Sequence, residues 1–204
     1  AWTCGSANTW SSALIGERGT PAASSAPSHS ARVRVRITAA IGGTHDRRER
    51  ARANESAGIR RLVGDDIKSA DWDFFFRCYM DTGSRKWGSP YLNRDFFTLL
   101  GERMSERCVL FVAEADGRPI AAALNLVGGE ALYGRYWGRI ADIPFLHFEL
   151  CYYQAIEFAI EAGLPRVEAG AQGEHKLARG YVPAPTYSAH WIEHDGLRAA
   201  VARY

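Results

Sequence analysis

The stretch that most constrains the fold is residues 108–140, CVLFVAEADGRPIAAALNLVGGEALYGRYWGRI. It contains three apolar runs, and these are separated by ADGR and VGGE, which are turn sequences. Short apolar runs joined by tight turns pair with their neighbours as antiparallel strands. The stretch therefore predicts a meander of three consecutive strands.

A long amphipathic segment follows at residues 143–163, IPFLHFELCYYQAIEFAIEAG. Its apolar residues recur at helical spacing, with Pro144 near the first turn and Gly163 just past the end. PRVEAGAQG then predicts a strand, EHKLARGY a short helix, and the remainder a final strand followed by a strand or a helix. A meander followed by a strand–helix–strand crossover predicts an α/β fold, with a mixed, mostly antiparallel sheet flanked by helices.

The residues before the meander supply further elements. GIRRLVG at residues 58–64 predicts a strand, and the segments 65–83 and 93–104 have apolar residues at helical spacing. Asn93 is a candidate N-cap, because its side chain can accept a hydrogen bond from the first turn. Together these segments precede the meander with one strand and two helices.

Residues 1–44 are rich in Ala, Ser, Gly and Thr and have no sustained periodicity. They predict a disordered or irregular extension, and residues 45–204 a single folded domain. Within the extension, ARVRVRITAA alternates like a strand but has no evident partner nearby. The charged residues 45–55 predict a solvent-exposed helix, with a nucleic-acid-binding arm as the alternative.

Charge and cysteine content exclude several classes of protein. Residues 1–61 carry ten arginines against four acidic residues, so the remaining chain is mildly acidic despite the net charge of +2. A mildly acidic folded part argues against a DNA-binding platform. The four cysteines form no CxxC pair, which indicates neither a zinc site nor a disulfide framework. No apolar run approaches the roughly 20 residues of a membrane span, and we expect a cytoplasmic protein.

Potential catalytic side chains gather between the strand and the short helix near the end of the chain. The candidates are Gln172, Glu174, His175, Lys176, Arg179 and His190. In α/β sheets, ligands bind where a strand ends and a helix begins. An imidazole can act as a base near neutral pH, and Lys or Arg can hold a carboxylate or a phosphate. The structural alternative is an exposed helix start, and the spacing does not favour a metal site.

Two further features are compatible with a site. Glu149 lies on the inward stripe of the long helix, so it either serves a site or pairs with an arginine such as Arg135. In LYGRYWGRI, strict alternation would place Gly134, Tyr136 and Gly138 on one face of a strand. Glycines on one face leave room for a ligand or for close packing of the crossover helix.

Five separated blocks resemble the FemAB-like proteins, which are predicted N-acyltransferases of peptidoglycan biosynthesis or recognition with a GNAT-type fold. The blocks are RKWGSPYLNRDFF, GRPIAAALN, LYGRYWG, PFLHFELCYYQAIEFAIEAGL, and EAGAQGEHKLARGY followed by PTYSAHW, and they cover about residues 45–204. The resemblance implies transfer of an acyl or aminoacyl group to an amine of a small molecule or peptide. The implied donor is an acyl-CoA or an aminoacyl-tRNA.

The resemblance also implies roles and departures. His175 or Glu174 would be the acid/base group, Lys176 and Arg179 would bind an anion, and the remaining candidates would line the cleft: Glu149, Arg135, Tyr136, Gln172 and His190. Family members usually have two such domains, and the resemblance implies that residues 45–204 correspond to the second, with the N-terminal half-domain missing. RIADIPF at residues 139–145 lacks the glycine-rich loop that cradles a pyrophosphate. A non-catalytic module that binds a peptide or a cell-wall precursor, and an inactive fragment, are the alternatives.

Overall fold

The computed structural model describes residues 30–36, 44–84, 90–170, 174–186 and 191–203. These residues belong to two units, each described by itself. The larger unit holds the sheet and its helices up to Thr186. In the smaller unit the described element is the C-terminal helix α6, Asp195–Arg203, on which Leu197 and Val201 are exposed.

The strands of the described residues are β1 (Ser30–Arg36), β2 (Gly58–Val63), β3 (Cys108–Ala115), β4 (Arg118–Val127), β5 (Ala131–Arg139), β6 (Arg166–Glu168) and β7 (Val182–Thr186). The helices are α1 (Thr44–Ser56), α2 (Ser69–Ser84), α3 (Arg94–Met104), α4 (Leu146–Phe148) and α5 (Gln154–Glu161). A π-helical turn, Glu149–Tyr153, joins α4 to α5. Short 3₁₀ segments lie at Gly64–Asp66, Ser105–Arg107 and Glu174–Arg179.

Within the described residues the strands form one sheet in the order β2-β3-β4-β5-β6-β1-β7. The pairing is antiparallel throughout, except that β5 and β6 run parallel through the helical crossover between them. The meander and the crossover are therefore confirmed. The predicted fold class, a mostly antiparallel α/β sheet flanked by helices, is confirmed as well.

The N-terminal part of the chain differs from expectation in two places. Strand β1 pairs with β6 and with β7, for example Arg34 with Glu168. Both partner strands lie late in the chain, so the residues near β1 in the sequence give no sign of them. Residues 1–29 and 37–43 of the expected extension lie outside the described residues. Helix α1 is not simply solvated, because Glu49 and Ala53 on its inner side are buried.

Strand β3 shows why its sequence is uninterruptedly apolar. Val109 and Phe111 pack into the core beneath α4 and α5, whereas Leu110 and Val112 pack into the core beneath α2 and α3. Successive side chains of a strand point to opposite faces, so a strand covered on both faces needs apolar residues at every position. The helices thus sandwich the centre of the sheet.

The crossover helix begins later than predicted. Pro144 precedes it, Phe145 adopts a left-handed conformation with φ 64°, and the first helical residue is Leu146. The helix stops as expected before Gly163, whose φ of 66° suits a residue without a side chain. The π-helical turn inserts one extra residue, a feature that often accompanies functional sites.

A β-bulge overturns the expected alternation in β5. Leu124 of β4 pairs with Tyr136 and Asn125 pairs with Gly134, so Arg135 is the extra residue. Gly134 and Tyr136 therefore lie on opposite faces of the sheet, not on one face. A Cβ atom on Gly138 would lie 2.0 Å from the Cys78 carbonyl oxygen, so that glycine permits close approach of α2 and not of the crossover helix.

Candidate active-site cavity

A cavity opens where β5 and β6 separate. The two strands pair only from Ala131 to Tyr133 with Arg166 to Glu168, and among the described residues no strand pairs with the rest of β5 on this side. The cavity has a volume of about 600 Å³. Its lining residues are Tyr79, Thr82, Gly83, Pro90, Tyr91, Ala123, Leu124, Asn125, Gly134, Arg135, Tyr136, Trp137, His147, Cys151, Tyr152, Ala169, His175 and Lys176.

The lining has a clear electrostatic character. Arg135 and Lys176 are cationic, and no Asp or Glu occurs among the described residues that line the cavity. Tyrosine, tryptophan and histidine rings supply much of the remaining wall. Because its described lining residues include cations and no carboxylates, the cavity is suited to a ligand that carries negative charge or develops it during reaction.

His175 is brought to the cavity by the 3₁₀ segment Glu174–Arg179. Its Nε2 lies 2.9 Å from the hydroxyl oxygen of Tyr152. Desolvation lowers the pKa of His175 below its ordinary value of 6.5, and the positive charges of Arg179 and Lys176 lower it further. The imidazole is therefore neutral near pH 7 and able to accept a proton.

Lys176 places a buried ammonium group at the cavity wall. Its Nζ donates to the carbonyl oxygens of Ala169 at 2.6 Å and Gly170 at 3.3 Å. Desolvation lowers the pKa of Lys176 from 10.5, while Cys151 partly offsets this effect. An ammonium has three N–H donors, so these two bonds leave a third donor for a ligand.

The crossover helix supplies groups to the cavity that the sequence did not single out as site residues. His147, Cys151 and Tyr152 line the cavity. Burial raises the pKa of Tyr152 above its ordinary value, so its phenol stays protonated at neutral pH. Tyr152 lies three residues after Glu149, at helical spacing, but an inward tyrosine has the same pattern in a plain core.

The β5 wall contains both residues that were predicted there. The guanidinium carbon of Arg135 lies 5.6 Å from the ring centre of Tyr136. The Tyr136 hydroxyl bonds to the hydroxyl of Tyr91, and burial together with this bond raises the pKa of Tyr136 to about 12. The bulge at Arg135 explains how neighbouring residues of one strand both reach the cavity.

Two predicted site residues form ion pairs with α1 and are not among the described residues that line the cavity. Glu149 receives two hydrogen bonds of 3.0 Å from Arg50, so its arginine partner is Arg50 and not Arg135. Arg179 pairs with Glu49, with its Nη2 at 2.6 Å from both carboxylate oxygens. Neither pair could be predicted from neighbouring residues in the sequence, because one member of each lies on α1, far from the other member in the chain.

The remaining candidates lie elsewhere. Glu174 is exposed and is not among the cavity-lining residues. Gln172 and His190 lie outside the described residues. Within the ranges that the structure describes, no cluster of His, Cys, Asp or Glu side chains is arranged to hold a metal ion. No helix in those ranges combines the length and the apolar character needed to cross a bilayer.

Sequence comparison identifies the family. Residues 44–204 match the FemAB-like family, which is described as acting in peptidoglycan biosynthesis/recognition. The chain belongs to this family, and the resemblance of its five sequence blocks is confirmed. Among curated proteins there is no significant match.

Solved structures with the same fold include a domain of a putative lysylphosphatidylglycerol synthetase, L-PGS and FemX. The C-terminal domain of a putative lysylphosphatidylglycerol synthetase from Agrobacterium fabrum is 13% identical, with a TM-score of 0.59 over 85% of this chain and 63% of that one. L-PGS from Bacillus licheniformis is 11% identical, with a TM-score of 0.57 over 85% and 64%. FemX is 12% identical, with a TM-score of 0.51 over 83% and 57%. At such identities the likeness concerns the fold, and the chain spans less than two thirds of these proteins.

Proposed function

We propose that the chain is an acyl-transfer domain that moves an acyl or aminoacyl group onto an amine, with the amine belonging to a peptide of a peptidoglycan precursor. The observation that supports this most directly is the cavity itself. It is lined by the neutral His175 imidazole, which is hydrogen-bonded to the Tyr152 phenol, and by the buried Lys176 ammonium. No carboxylate occurs among its described lining residues. Family membership supports the peptidoglycan connection.

The proposed reaction assigns a role to each group. The amine nitrogen attacks the acyl carbonyl carbon, a C–N bond forms, and the bond from the acyl carbon to the donor's oxygen or sulfur breaks. The amine proton passes through the Tyr152 hydroxyl to Nε2 of His175 and then to the leaving group. The third N–H of Lys176 faces the carbonyl oxygen as negative charge develops on it.

The donor is proposed to be an aminoacyl ester rather than an acyl-CoA. In this chain the turn before the crossover helix is not glycine-rich, and Phe145 occupies a left-handed position there, without a side-chain cap. A pyrophosphate needs several backbone amides pointing at it from such a turn. Aminoacyl esters do not depend on that cradle.

The test is mass-spectrometric detection of transfer by the purified full chain. Aminoacyl-tRNAs and acyl-CoAs serve as donors, and peptidoglycan precursors with a free amine serve as acceptors. We expect His175→Ala to lower the rate about 10²- to 10⁴-fold, in the range of a lost general base. Lys176→Met should lower it about 10²- to 10³-fold, in the range of a lost oxyanion donor.

Glu174→Gln is the matched control, because Glu174 adjoins His175 in sequence but is exposed outside the cavity. If the Glu174 variant lost transfer while the His175 variant kept it, the base would be Glu174. Saturable binding of a precursor by the unchanged chain, without turnover of any donor, would replace catalysis with a binding role.

A further inference from the structure

A buried ion pair anchors the cavity segment Glu174–Arg179 to helix α1. Arg179 Nη2 donates to both carboxylate oxygens of Glu49, and Tyr153 donates its hydroxyl to the same carboxylate at 2.8 Å. The side chains of Arg179 and Glu49 are only 4% and 5% exposed. A guanidinium and a carboxylate buried in this way hold one another in a defined geometry, so α1 fixes the position of Arg179.

Arg179 in turn holds the residue that carries the imidazole. Its Nη1 donates to the backbone carbonyl oxygen of His175 at 2.6 Å. Its guanidinium carbon lies 3.5 Å from the centre of the Phe148 ring, and that ring lies 5.6 Å from the ring of His175. The contacts therefore run continuously from Glu49 through Arg179 to the cavity wall.

We propose that Glu49 is a positioning residue for the cavity, acting through Arg179 to set where the His175 imidazole lies relative to the Tyr152 hydroxyl. Glu49 does not line the cavity, so its effect on a reaction would be indirect. The catalytic consequence of this inference rests on the proposed function. Its structural content does not, because the position of the imidazole can be measured without any activity.

A second, partly buried pair on the same helix provides the comparison. Arg50, the next residue of α1, donates to both carboxylate oxygens of Glu149, which is 0% exposed. Arg50 also pairs with Glu157 on α5. None of the hydrogen bonds described for Arg50 reaches the segment Glu174–Arg179. If the ion pairs of α1 only stabilise the fold, breaking either pair should affect the cavity equally. If Glu49 positions His175, breaking the Glu49 pair should have the larger effect.

The experiment compares Glu49→Gln with Arg50→Gln in the full chain by NMR of the histidine rings. The His175 signals are assigned by their absence in His175→Asn. In Glu49→Gln we expect the His175 ring signals to shift and their nuclear Overhauser contacts to Tyr152 and Phe148 to weaken. In Arg50→Gln these contacts should persist. Equal changes in both variants, or unchanged His175 contacts in Glu49→Gln, would overturn the inference.

Two additions keep the result decisive. If Glu49→Gln does not fold, Tyr153→Phe removes the hydroxyl that donates to the Glu49 carboxylate, and it should shift the His175 signals in the same direction by a smaller amount. No shift in that variant would refute the inference.

Where transfer is detected, Glu49→Gln should lower kcat roughly 10- to 100-fold, the scale of small misplacements, with little change in KM. Altered His175 contacts in a chain that shows no transfer would support the positioning role and defeat only the proposed function.

Discussion

The two faces of the sheet are covered by different kinds of side chains. Beneath α2 and α3 the core is aromatic, and the ring of Phe75 packs within 5.3 Å of Phe97 and 6.4 Å of Trp72, centre to centre. On the other face, the π-helical turn and the 3₁₀ segment Glu174–Arg179 are linked to α1 by buried charges. The buried charged side chains of the described residues are Glu49, Glu149, Lys176 and Arg179, and all of them belong to this second region.

The difference shows which face of the sheet depends on defined polar geometry. An aromatic core packs well without any defined polar geometry, because the hydrophobic effect is not directional. Buried charges need exact partners, and leaving one unpaired costs about 3–5 kcal/mol. A face that retains such groups beside a cavity is therefore a better candidate for a site than a face that needs only apolar packing.

The largest stability effect should come from breaking the aromatic face. Phe75→Ala should lower the free energy of unfolding by about 3–5 kcal/mol, because it removes a fully buried ring and leaves a cavity. Chemical denaturation measures this loss, and Phe75→Leu is the milder control. The NMR signals of the His175 ring should not change in the folded variant. A change as large as that in Glu49→Gln would show that the two faces are coupled.

Acidification should lower transfer through His175, which lies on the face of the sheet that carries the buried charges. Partial desolvation and neighbouring cations lower the pKa of His175 below 6.5, so its neutral form predominates at pH 7. Transfer should therefore fall on the acidic side, as the pH drops through the lowered pKa and the imidazole becomes protonated. The stability contributed by the neutral imidazole is likewise present above 6.5 and is lost as the pH falls toward the lowered value. A pH–rate profile of kcat/KM measures the first effect.

The control for this profile is His175→Gln. Its residual transfer should lack the acidic limb, and its stability should depend less on pH between 5 and 7, a window around the ordinary histidine pKa. Should the acidic limb persist unchanged in this variant, another group would be the base. Phe75→Ala should lower stability by the same amount at each pH of this window.

The smallest effect concerns the border of the aromatic face. The Asn93 side chain accepts a hydrogen bond of 3.0 Å from the amide of Phe96 at the start of α3. Asn93→Ala should therefore cost about 1 kcal/mol, whereas Asn93→Asp should retain the cap and most of the stability. Thermal unfolding of both variants distinguishes them. Equal loss in the two would mean that the cap does not stabilise α3.

Much of the fold could be predicted because its signals are local. The meander is marked by apolar runs and turn residues, and the start of α3 is marked by Asn93, whose predicted cap is confirmed. The pairing partners of β1 could not be predicted, because they lie near the opposite end of the sequence. The bulge at Arg135 was also missed, since strict alternation assumes that every residue of a strand is paired.

The candidate site was predicted unevenly for a related reason. The structure brings His175, Lys176, Arg135 and Tyr136 to one cavity, and it directs Glu149 and Arg179 into ion pairs with α1. Residue type alone does not separate these outcomes, because an arginine that binds a ligand and an arginine that binds a buried glutamate are chemically alike. The partner of each arginine decides between these roles, and that partner is distant in sequence.

By itself the sequence determined the family, the meander, the crossover helix and the segment that carries His175 and Lys176, because periodicity, turn residues and motif blocks are local properties. Only the tertiary structure decided which side chains share the cavity. It placed α1 against the crossover helix, where Glu49 and Arg50 bind the charges that would otherwise be candidates for ligand binding. The physical reason is that a buried charge must find its partner in space, and the chain supplies that partner from wherever the fold brings it.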